Sequence, residues 1–441
     1  MRLSELLAGL DVRRAADTAD PECAGLAYDS RRVTPGMVFF ALSGENTDGH
    51  AHAAEAAARG AVAVVGERDC GLPPDVKQVF VANARQVLAQ VAARINQNPS
   101  RALKVIGITG TNGKTTVSFM VRHILRRANI AAGMIGTVEY DVGSRVLPAG
   151  RTTPESLELQ QMLAQMRDAG CAACVMEVSS HALAQHRVDA VDFDVAAFTN
   201  LTQDHLDYHG DMEAYFDTKR LLFDGLRKDA ASVTNLDDPY GAQLAREGML
   251  TYGHSVNAAI RASDFMLCAE STQLTVTAPD GSVELTLPLI GRHNISNALA
   301  AYSIASAMGV DGRIIGKALA DMPSVPGRLE PIVAGQPFGV YVDYAHTDDA
   351  LRHVLETLRE ITGGRVLIIF GCGGNRDKGK RIKMGEVAAE QADEIIITSD
   401  NSRNEDPAII AGEIAEGCRN VRQGGFEIEL DRARAIDEII R

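Results

Sequence analysis

The segment Lys104–Thr116, KVIGITGTNGKTT, constrains the fold more than any other stretch of the chain. A β-branched apolar run (Val105, Ile106, Ile108) leads into a Gly-rich turn. The turn ends in Gly113-Lys114-Thr115-Thr116 and opens onto a helix-compatible stretch, Val117–Arg127. The order is strand, phosphate loop, helix. Backbone N–H groups of such a loop wrap a polyphosphate, a lysine in the place of Lys114 reaches the β/γ-phosphates, and a hydroxyl in the place of Thr115 ligates Mg²⁺. ATP or a related nucleotide is the expected ligand. The spacing departs from GxxxxGK[ST]: the position that pattern gives to its first glycine is Ile108, and the glycines fall at Gly107 and Gly110. An ordinary Gly-rich βα turn has no need of Lys-Thr directly after its last glycine, which is what phosphate binding requires.

At 441 residues the chain exceeds one hydrophobic core, and two to four domains are expected. A net charge of -14 without a long basic run argues against nucleic acid as a partner. No apolar stretch approaches the roughly 20 residues that span a bilayer. The N-terminal MRLSELLAGLDVRRAAD mixes Glu and Asp into too short an apolar patch for a signal peptide. Seven scattered cysteines, an odd number, suit reduced thiols in the cytoplasm. Cys171 and Cys174 have CxxC spacing but lie in apolar GCAACVMEV with no second pair, and core packing is expected.

Residues 1–100 read as a small α/β unit, with strands Val38–Ala41, Ala61–Val65 and Gln78–Val81 between Ala-rich helical stretches such as Ala51–Ala63. The polar turn NQNPSR (Asn96–Arg101) marks a boundary. A second unit, 101–327, holds the phosphate loop, strands Ala173–Glu177 and Val195–Thr199, a hairpin around Pro279-Asp280-Gly281 and a helix Asn294–Met308. PSVPGR (Pro323–Arg328) reads as a second linker. A third α/β unit, 328–441, runs as strand Gly339–Asp343, helix Thr347–Ile361, strand Arg365–Phe370, the loop GCGGNRDKGK, and strand Glu394–Thr398 ending at Ser399–Arg403. The expected class is α/β: a central phosphate-loop ATPase domain with a parallel sheet, flanked by an N-terminal α/β domain and a Rossmann-like C-terminal one. Ligands of open parallel sheets sit beyond the carboxyl ends of the strands, which makes the last two loops site candidates.

Glu177 closes an apolar strand downstream of the phosphate loop, where a carboxylate can hold Mg²⁺ beside a triphosphate. The stretch NLTQDHLDYHGDMEAYFDTKR packs Asp204, His205, Asp207, His209 and Asp211 into eight residues. A polar loop with a helix cap and a metal-ligating turn are both open on these residues alone.

Together, GTNGKTT and TNLTQDHLDYHG followed by a helix bearing Lys219 resemble the central domain of the Mur ligases, closest to their tripeptide-forming branch. The resemblance spans almost the whole chain. It takes in YDSRRVTPGMVFFALSG, TTP, MEVSSHALAQHR, GRHNISNALAA, PGRLE, VDYAHTDDAL, GCGGNRDKGKR and DNSRNEDP. It implies an ATP-dependent ligase that adds meso-diaminopimelate to UDP-N-acetylmuramoyl-L-alanyl-D-glutamate through an acyl phosphate, as a cytoplasmic monomer.

Position by position, the resemblance implies that Gly110, Thr111, Asn112, Gly113, Lys114, Thr115 and Thr116 bind ATP. It implies that Thr115, Glu177 and His205 ligate Mg²⁺, and that Lys219 is carbamylated and holds a second Mg²⁺. Lys114, Glu177, His205 and Lys219 are then the catalytic set. Asn294 and Arg328 contact the nucleotide, with Asp343 and His346 lining the same cleft. Ser30, Glu45, Asn46 and Thr47 meet the uridine end of the sugar nucleotide. Thr152, Thr153, Ser179, Gln185 and Arg187 hold its muramyl-dipeptide arm. Arg376, Asp400, Asn401, Ser402 and Arg403 select the incoming amino acid.

The chain departs from the family pattern in places. DNPR becomes Asp400-Asn401-Ser402-Arg403, YAHTPDAL becomes YAHTDDAL, and KRPLMG becomes KRIKMG, each losing a proline. The arginine that can grip a distal carboxylate is kept. The family continues past Asp431-Arg432-Ala433 to a GKGHE segment. This chain ends at Arg441, so an incomplete third domain is expected. The rival readings are a lysine-adding or folylpolyglutamate-type ligase, and an inactive truncated ligase that only binds nucleotide.

Overall fold

The computed structural model describes residues 1–15, 20–44, 47–73, 76–268 and 270–441. Two compact units emerge, one of Met1–Ala258 with Ala300–Ile315, the other of Ala259–Leu299 with Gly316–Arg441. Among the described residues no helix is long and apolar enough to cross a membrane.

The first unit begins with a five-stranded sheet: β1 (Val12–Ala15), β2 (Gly25–Ala27), β3 (Met37–Phe40), β4 (Ala63–Gly66) and β5 (Lys77–Val81), ordered β1-β5-β4-β3-β2. Only β1 runs antiparallel to its neighbour; β2, β3, β4 and β5 pair in parallel. The Ala-rich stretch 51–63 gives less helix than its composition suggests. A 3₁₀ turn, Gly49–His52, and a helix, Ala53–Ala58, are all that form. Gly60 at φ +96° ends the run, where a Cβ would lie 3.0 Å from Pro35 Cα, and the chain turns into β4.

The second sheet of this unit follows as β6 (Lys104–Thr109), β7 (Ala132–Ile135), β8 (Glu139–Asp141), β9 (Val146–Pro148), β10 (Ala173–Glu177), β11 (Val195–Phe198), β12 (Ala231–Asn235) and β13 (Leu250–Gly253). Their spatial order is β13-β12-β11-β6-β10-β7-β8-β9, parallel from β13 through β7. Val105 through Thr109 are all buried, as expected of a parallel strand covered on both faces. Strand order reverses around β6, with β10 on one side and β11 on the other. The carboxyl ends of these three strands therefore converge at a topological switch point. In register, Glu177 lies beside Ile108 and Phe198 beside Thr109.

In the second unit, β14 (Ile260–Leu267), β15 (Thr272–Ala278) and β16 (Gly281–Leu287) form an antiparallel ribbon. The expected hairpin is there, with Pro279-Asp280 as its two-residue turn. Of the expected strand 339–343 only β18 (Tyr341–Val342) pairs, with β17 (Glu330–Pro331). A parallel sheet follows, β19 (Leu367–Phe370), β20 (Glu394–Ile397) and β21 (Phe426–Ile428).

Helices Gly379–Gln391 and Pro407–Val421 of the second unit pack backbone to backbone. A Cβ on Gly385 would lie 2.1 Å from Ile414 O, and one on Gly417 would lie 2.0 Å from Ile382 O. Gly385→Ala is therefore expected to destabilise this unit by about 1–3 kcal/mol, the cost of overpacking a tight contact. A denaturant titration checks it, and an unchanged midpoint would contradict the helix spacing.

Candidate active site

The helix after β6 starts at Lys114, three residues earlier than its apolar run suggests, and extends to Arg127. Its first ladder bond joins Val117 N–H to Gly113 O, so the N–H groups of residues 114–116 precede the ladder at the positive end of the helix. Two glycines make the turn possible. Gly113 sits at φ +85°. Gly110 sits at φ +143°, and a Cβ there would lie 1.9 Å from Thr199 Oγ1. The tip of the loop is tied to the end of β11: Thr111 N–H donates to Asn200 O and Asn112 N–H to Asn200 Oδ1, both at 2.9 Å. The Thr111 hydroxyl donates to Thr202 O at 3.2 Å. Lys114 Nζ donates to Gly110 O and Thr111 O at 2.8 Å. Thr115 and Thr116 are buried.

Glu177, 1 % exposed at the end of β10, faces this loop. It accepts the Thr115 hydroxyl at 3.0 Å, the Thr137 N–H at 2.8 Å and the Thr137 hydroxyl at 3.0 Å. From there a chain of hydrogen bonds runs outward. Thr137 Oγ1 and Thr152 Oγ1 lie 3.0 Å apart. The Thr153 hydroxyl donates to Glu177 O at 2.8 Å and accepts the Ser179 N–H at 3.1 Å. Arg187, 8 % exposed, donates from Nη1 to Thr153 O and from Nη2 to Gln185 Oε1. Its Nε finds no hydrogen-bond acceptor among the described residues, Glu155 being 3.6 Å away. Thr152, Thr153, Ser179, Gln185 and Arg187 thus form one connected set with the phosphate loop.

Lys219 lies on the helix Met212–Asp224, 1 % exposed, its ammonium 2.9 Å from Gly110 O and 4.4 Å from the Tyr215 ring centroid. Burial, reinforced by the Lys114 charge, pushes its pKa well below the usual lysine range. The clustered acids before it divide their roles. Asp211 caps the helix through Ala214 N–H, and His209 Nε2 lies 2.9 Å from Ser180 Oγ. His205, at φ +54°, stacks edge-on to His181 at 4.7 Å. Burial pushes its imidazole down, Asp204 opposes that, and Lys114 and Lys219 add to the downward push. Among the described residues no three His, Cys, Asp or Glu side chains converge as a metal-binding group.

Ser30 donates to Glu55 at 2.8 Å in a short 3₁₀ turn capped by Asp29. Its neighbours Tyr28, Asp29 and Arg32 line a cavity of about 100 Å³. Glu45 and Asn46 lie outside the described residues. Thr47 accepts the Gly44 N–H through its carbonyl.

In the second unit, Asn294 is buried and donates to Ile290 O at 2.8 Å. Asp343 accepts the N–H groups of Leu329 and Ala345 at 2.8 and 2.7 Å, and burial raises its pKa. Arg328 lies over the Tyr344 ring, and Tyr344 stacks on His346 at 5.3 Å. Arg328, Asp343 and His346 are therefore neighbours. Two loops beyond β19 and β20 meet as well: Gly374 N–H donates to Asn401 O at 2.9 Å, and Arg403 Nη1 to Gly374 O at 2.6 Å. Among the described residues neither Arg376 nor Arg403 has a carboxylate within ion-pair distance.

Sequence reasoning passed over Thr137, Asn200 and Glu155. Thr137 joins Glu177 to Thr152, and Asn200 holds the phosphate loop. Glu155 lies 2.9 Å from Arg85 and faces Arg187. Asn200, directly after the Val195–Thr199 run, had a positional signal. Thr137 and Glu155 act through partners 40 and 70 residues away, which no local pattern marks.

Family models match nearly end to end: the Mur ligase family catalytic domain over residues 22–102, the Mur ligase middle domain over 108–305, and the Mur ligase glutamate ligase domain over 327–441. The UDP-N-acetylmuramoyl-L-alanyl-D-glutamate–2,6-diaminopimelate ligase of Caldanaerobacter subterraneus subsp. tengcongensis is 43% identical over 439 residues, 99% of this chain and 90% of that one. The enzyme of the same name from Geobacter metallireducens is 43% identical over 97% of this chain and 86% of its own. A solved structure of a ligase of that name superposes with TM-score 0.71 at 30% identity, covering 100% of this chain and 90% of the other. The chain belongs to the Mur ligase family, whose three-domain α/β fold it shares.

Proposed function

We propose that this chain is an ATP-dependent amide ligase. It joins meso-diaminopimelate to UDP-N-acetylmuramoyl-L-alanyl-D-glutamate in the cytoplasm, a step of peptidoglycan precursor synthesis and so of cell-wall growth, shape and division. The observation that carries the reading is the connected path from the phosphate loop through Glu177 and Thr137 to Thr152, Thr153, Ser179 and Arg187. It supports the assignment of an anion-binding arm beside a phosphate site. Names and substrates of relatives 43% identical over nearly the full chain support the choice of substrates. We assign the sugar nucleotide to residues 1–100, ATP to 101–327 and the amino acid to 328–441, acting as a monomer.

In this reading the loop 110–116 wraps the triphosphate and Lys114 neutralises its β/γ end. Arg187 and the Thr153–Ser179 pair hold the dipeptide so that its D-glutamyl carboxylate oxygen meets the γ-phosphorus in line. A P–O bond forms and the bond to ADP breaks. The diaminopimelate amine then attacks the acyl carbon, loses a proton, and phosphate leaves.

The residues suit magnesium. Thr115 and Glu177 offer hard oxygens 3.0 Å apart in a buried corner, and His205 is biased to its neutral form. Burial disfavours the charged form of Lys219, and its neutral amine can add CO₂ and lose a proton to become an anionic carbamate. Held by Thr115, Glu177, His205 and the Lys219 carbamate, Mg²⁺ would supply charge neutralisation on the transferring phosphoryl group.

Phosphate release measured with and without each substrate tests the reading. Release that needs ATP, the UDP-sugar dipeptide and diaminopimelate together supports it. Equal use of lysine, or release with a folate substrate, sinks it. Within it, Arg403→Ala is expected to raise the KM for diaminopimelate on the order of 10-fold or more, because a guanidinium–carboxylate contact is lost on binding. The KM for ATP should stay near wild type. A variant with unchanged diaminopimelate KM would remove Arg403 from the amino-acid site.

A further inference from the structure

Arg381, at the start of the helix Gly379–Gln391, is 0% exposed, among the largest fully buried side chains of the protein. It meets Glu405 through two parallel bonds, Nη1 to Oε2 at 3.1 Å and Nη2 to Oε1 at 3.0 Å, and Glu413 through Nη1 at 2.7 Å. Such a fork fixes direction as well as charge. A buried ion pair adds little to stability over the apolar residues that could fill the same space. What it gains is the position of Glu405.

Glu405 in turn accepts the N–H of Asn375, and Asn375 Oδ1 accepts the N–H of Asn404 at 3.1 Å. The two loops that carry Arg376 and Arg403 are thereby laced together, with the Gly374–Asn401 and Arg403–Gly374 bonds as further rungs. Their approach is too close for side chains: a Cβ on Gly374 would stand 1.9 Å from Ser402 O. Asn375 and Arg403 both sit at positive φ, +52° and +50°, conformations that persist only where surroundings impose them. Lysine at 378 reaches Glu405 only at 3.5 Å, so the buried guanidinium is the carboxylate's main anchor. It holds the Glu405 carboxyl down at about 2, ionised at any working pH.

We infer that Arg381 and Glu405 are positioning residues for the amino-acid substrate: through Asn375 they fix the relative placement of Arg376 and Arg403 and so the spacing at which a second carboxylate is recognised. This rests on the proposed function.

The test is steady-state phosphate release by the full chain, with each substrate varied in turn. Glu405→Gln keeps the shape but cannot accept both Asn375 N–H and the guanidinium fork. It is expected to raise the KM for diaminopimelate about tenfold, a displacement effect, with the KM values for ATP and the UDP-sugar dipeptide within about twofold. Glu413→Gln removes a carboxylate from the same buried guanidinium but touches neither loop, and should leave all three KM values within about twofold. Asn375→Ala removes the Oδ1 bond to Asn404 N–H but keeps the backbone N–H that Glu405 accepts, and should shift the diaminopimelate KM in the same sense as Glu405→Gln. Equal effects of Glu405→Gln and Glu413→Gln would mark a merely structural ion cluster and overturn the inference. So would a normal diaminopimelate KM in Asn375→Ala. Wild type that releases no phosphate in response to diaminopimelate would overturn the proposed function itself, and this inference with it.

Discussion

Lys219→Met is expected to lower turnover on the order of 10²–10³-fold, the scale of removing one preorganised charge from a reaction site. The fold should hold. In the native chain a lysine amine is wholly buried against Gly110 O and the Tyr215 ring, and burial holds its pKa far below the ordinary 10.5. Between that depressed value and 10.5 the unfolded chain binds a proton the folded chain does not, so the amine subtracts stability at neutral pH and stability rises with pH across the window. Methionine removes the penalty. Lys219→Met should therefore melt at or above the wild-type temperature at pH 7 and lose the upward slope with pH, in buffer freed of CO₂. In bicarbonate, wild type should gain the mass of one CO₂ and the variant should not. Short carboxylic acids should restore part of the activity of Lys219→Ala, where they can occupy the vacated space. A fully active Lys219→Met, or wild-type lysine unmodified in saturating bicarbonate, would remove Lys219 from the reacting centre.

What was legible in the sequence follows from how local the physics is. The phosphate loop was legible because a β-branched run, the turn glycines Gly110 and Gly113, and Lys-Thr in the eleven residues Val105–Thr115 satisfy one backbone geometry. Gly110 and Gly113 take the positive φ angles their positions require. Glu177 was legible because a phosphate loop lies upstream of it; alone, a glutamate at a strand end reads as a solvated cap. The helix Lys114–Arg127 was read three residues short, because its first turn is Lys-Thr-Thr, polar residues that apolar periodicity does not count.

Contacts distant in sequence were not legible. Arg381 lies in a quoted motif, GCGGNRDKGKR, and Glu405 in another, DNSRNEDP, yet nothing in either says that the arginine is buried or that the two meet. As single residues each reads as surface charge, the ordinary fate of Arg and Glu. Thr137 and Glu155 escaped because their partners lie 40 and 70 residues away. The Asp204–Asp211 stretch was open between cap and metal turn, and the described residues divide it, with Asp211 capping a helix and His205 turned toward His181.

Lys114→Ala should lower ATP-dependent turnover on the order of 10³-fold or more, while melting within a few degrees of wild type, because no core side chain is removed. Two effects add. The direct one, in the proposed reading, is loss of the cation assigned to the β/γ-phosphates. The indirect one runs through Lys219. After burial, the Lys114 charge is the next cause of the low Lys219 pKa, and it also pushes His205 down. Without it the buried amine holds its proton more tightly and reacts less readily with CO₂. The carbamate mass signal should then weaken in Lys114→Ala although Lys219 is untouched. The double variant Lys114→Ala/Lys219→Met should be little worse than Lys114→Ala, since part of the loss at Lys114 already runs through Lys219 and groups acting as a unit are not additive. Lys114→Ala with near-normal phosphate release would show that this loop is not the site of phosphoryl transfer. An inactive Lys114→Ala with an undiminished carbamate signal would leave only the direct effect, and the coupling between the two lysines would be wrong.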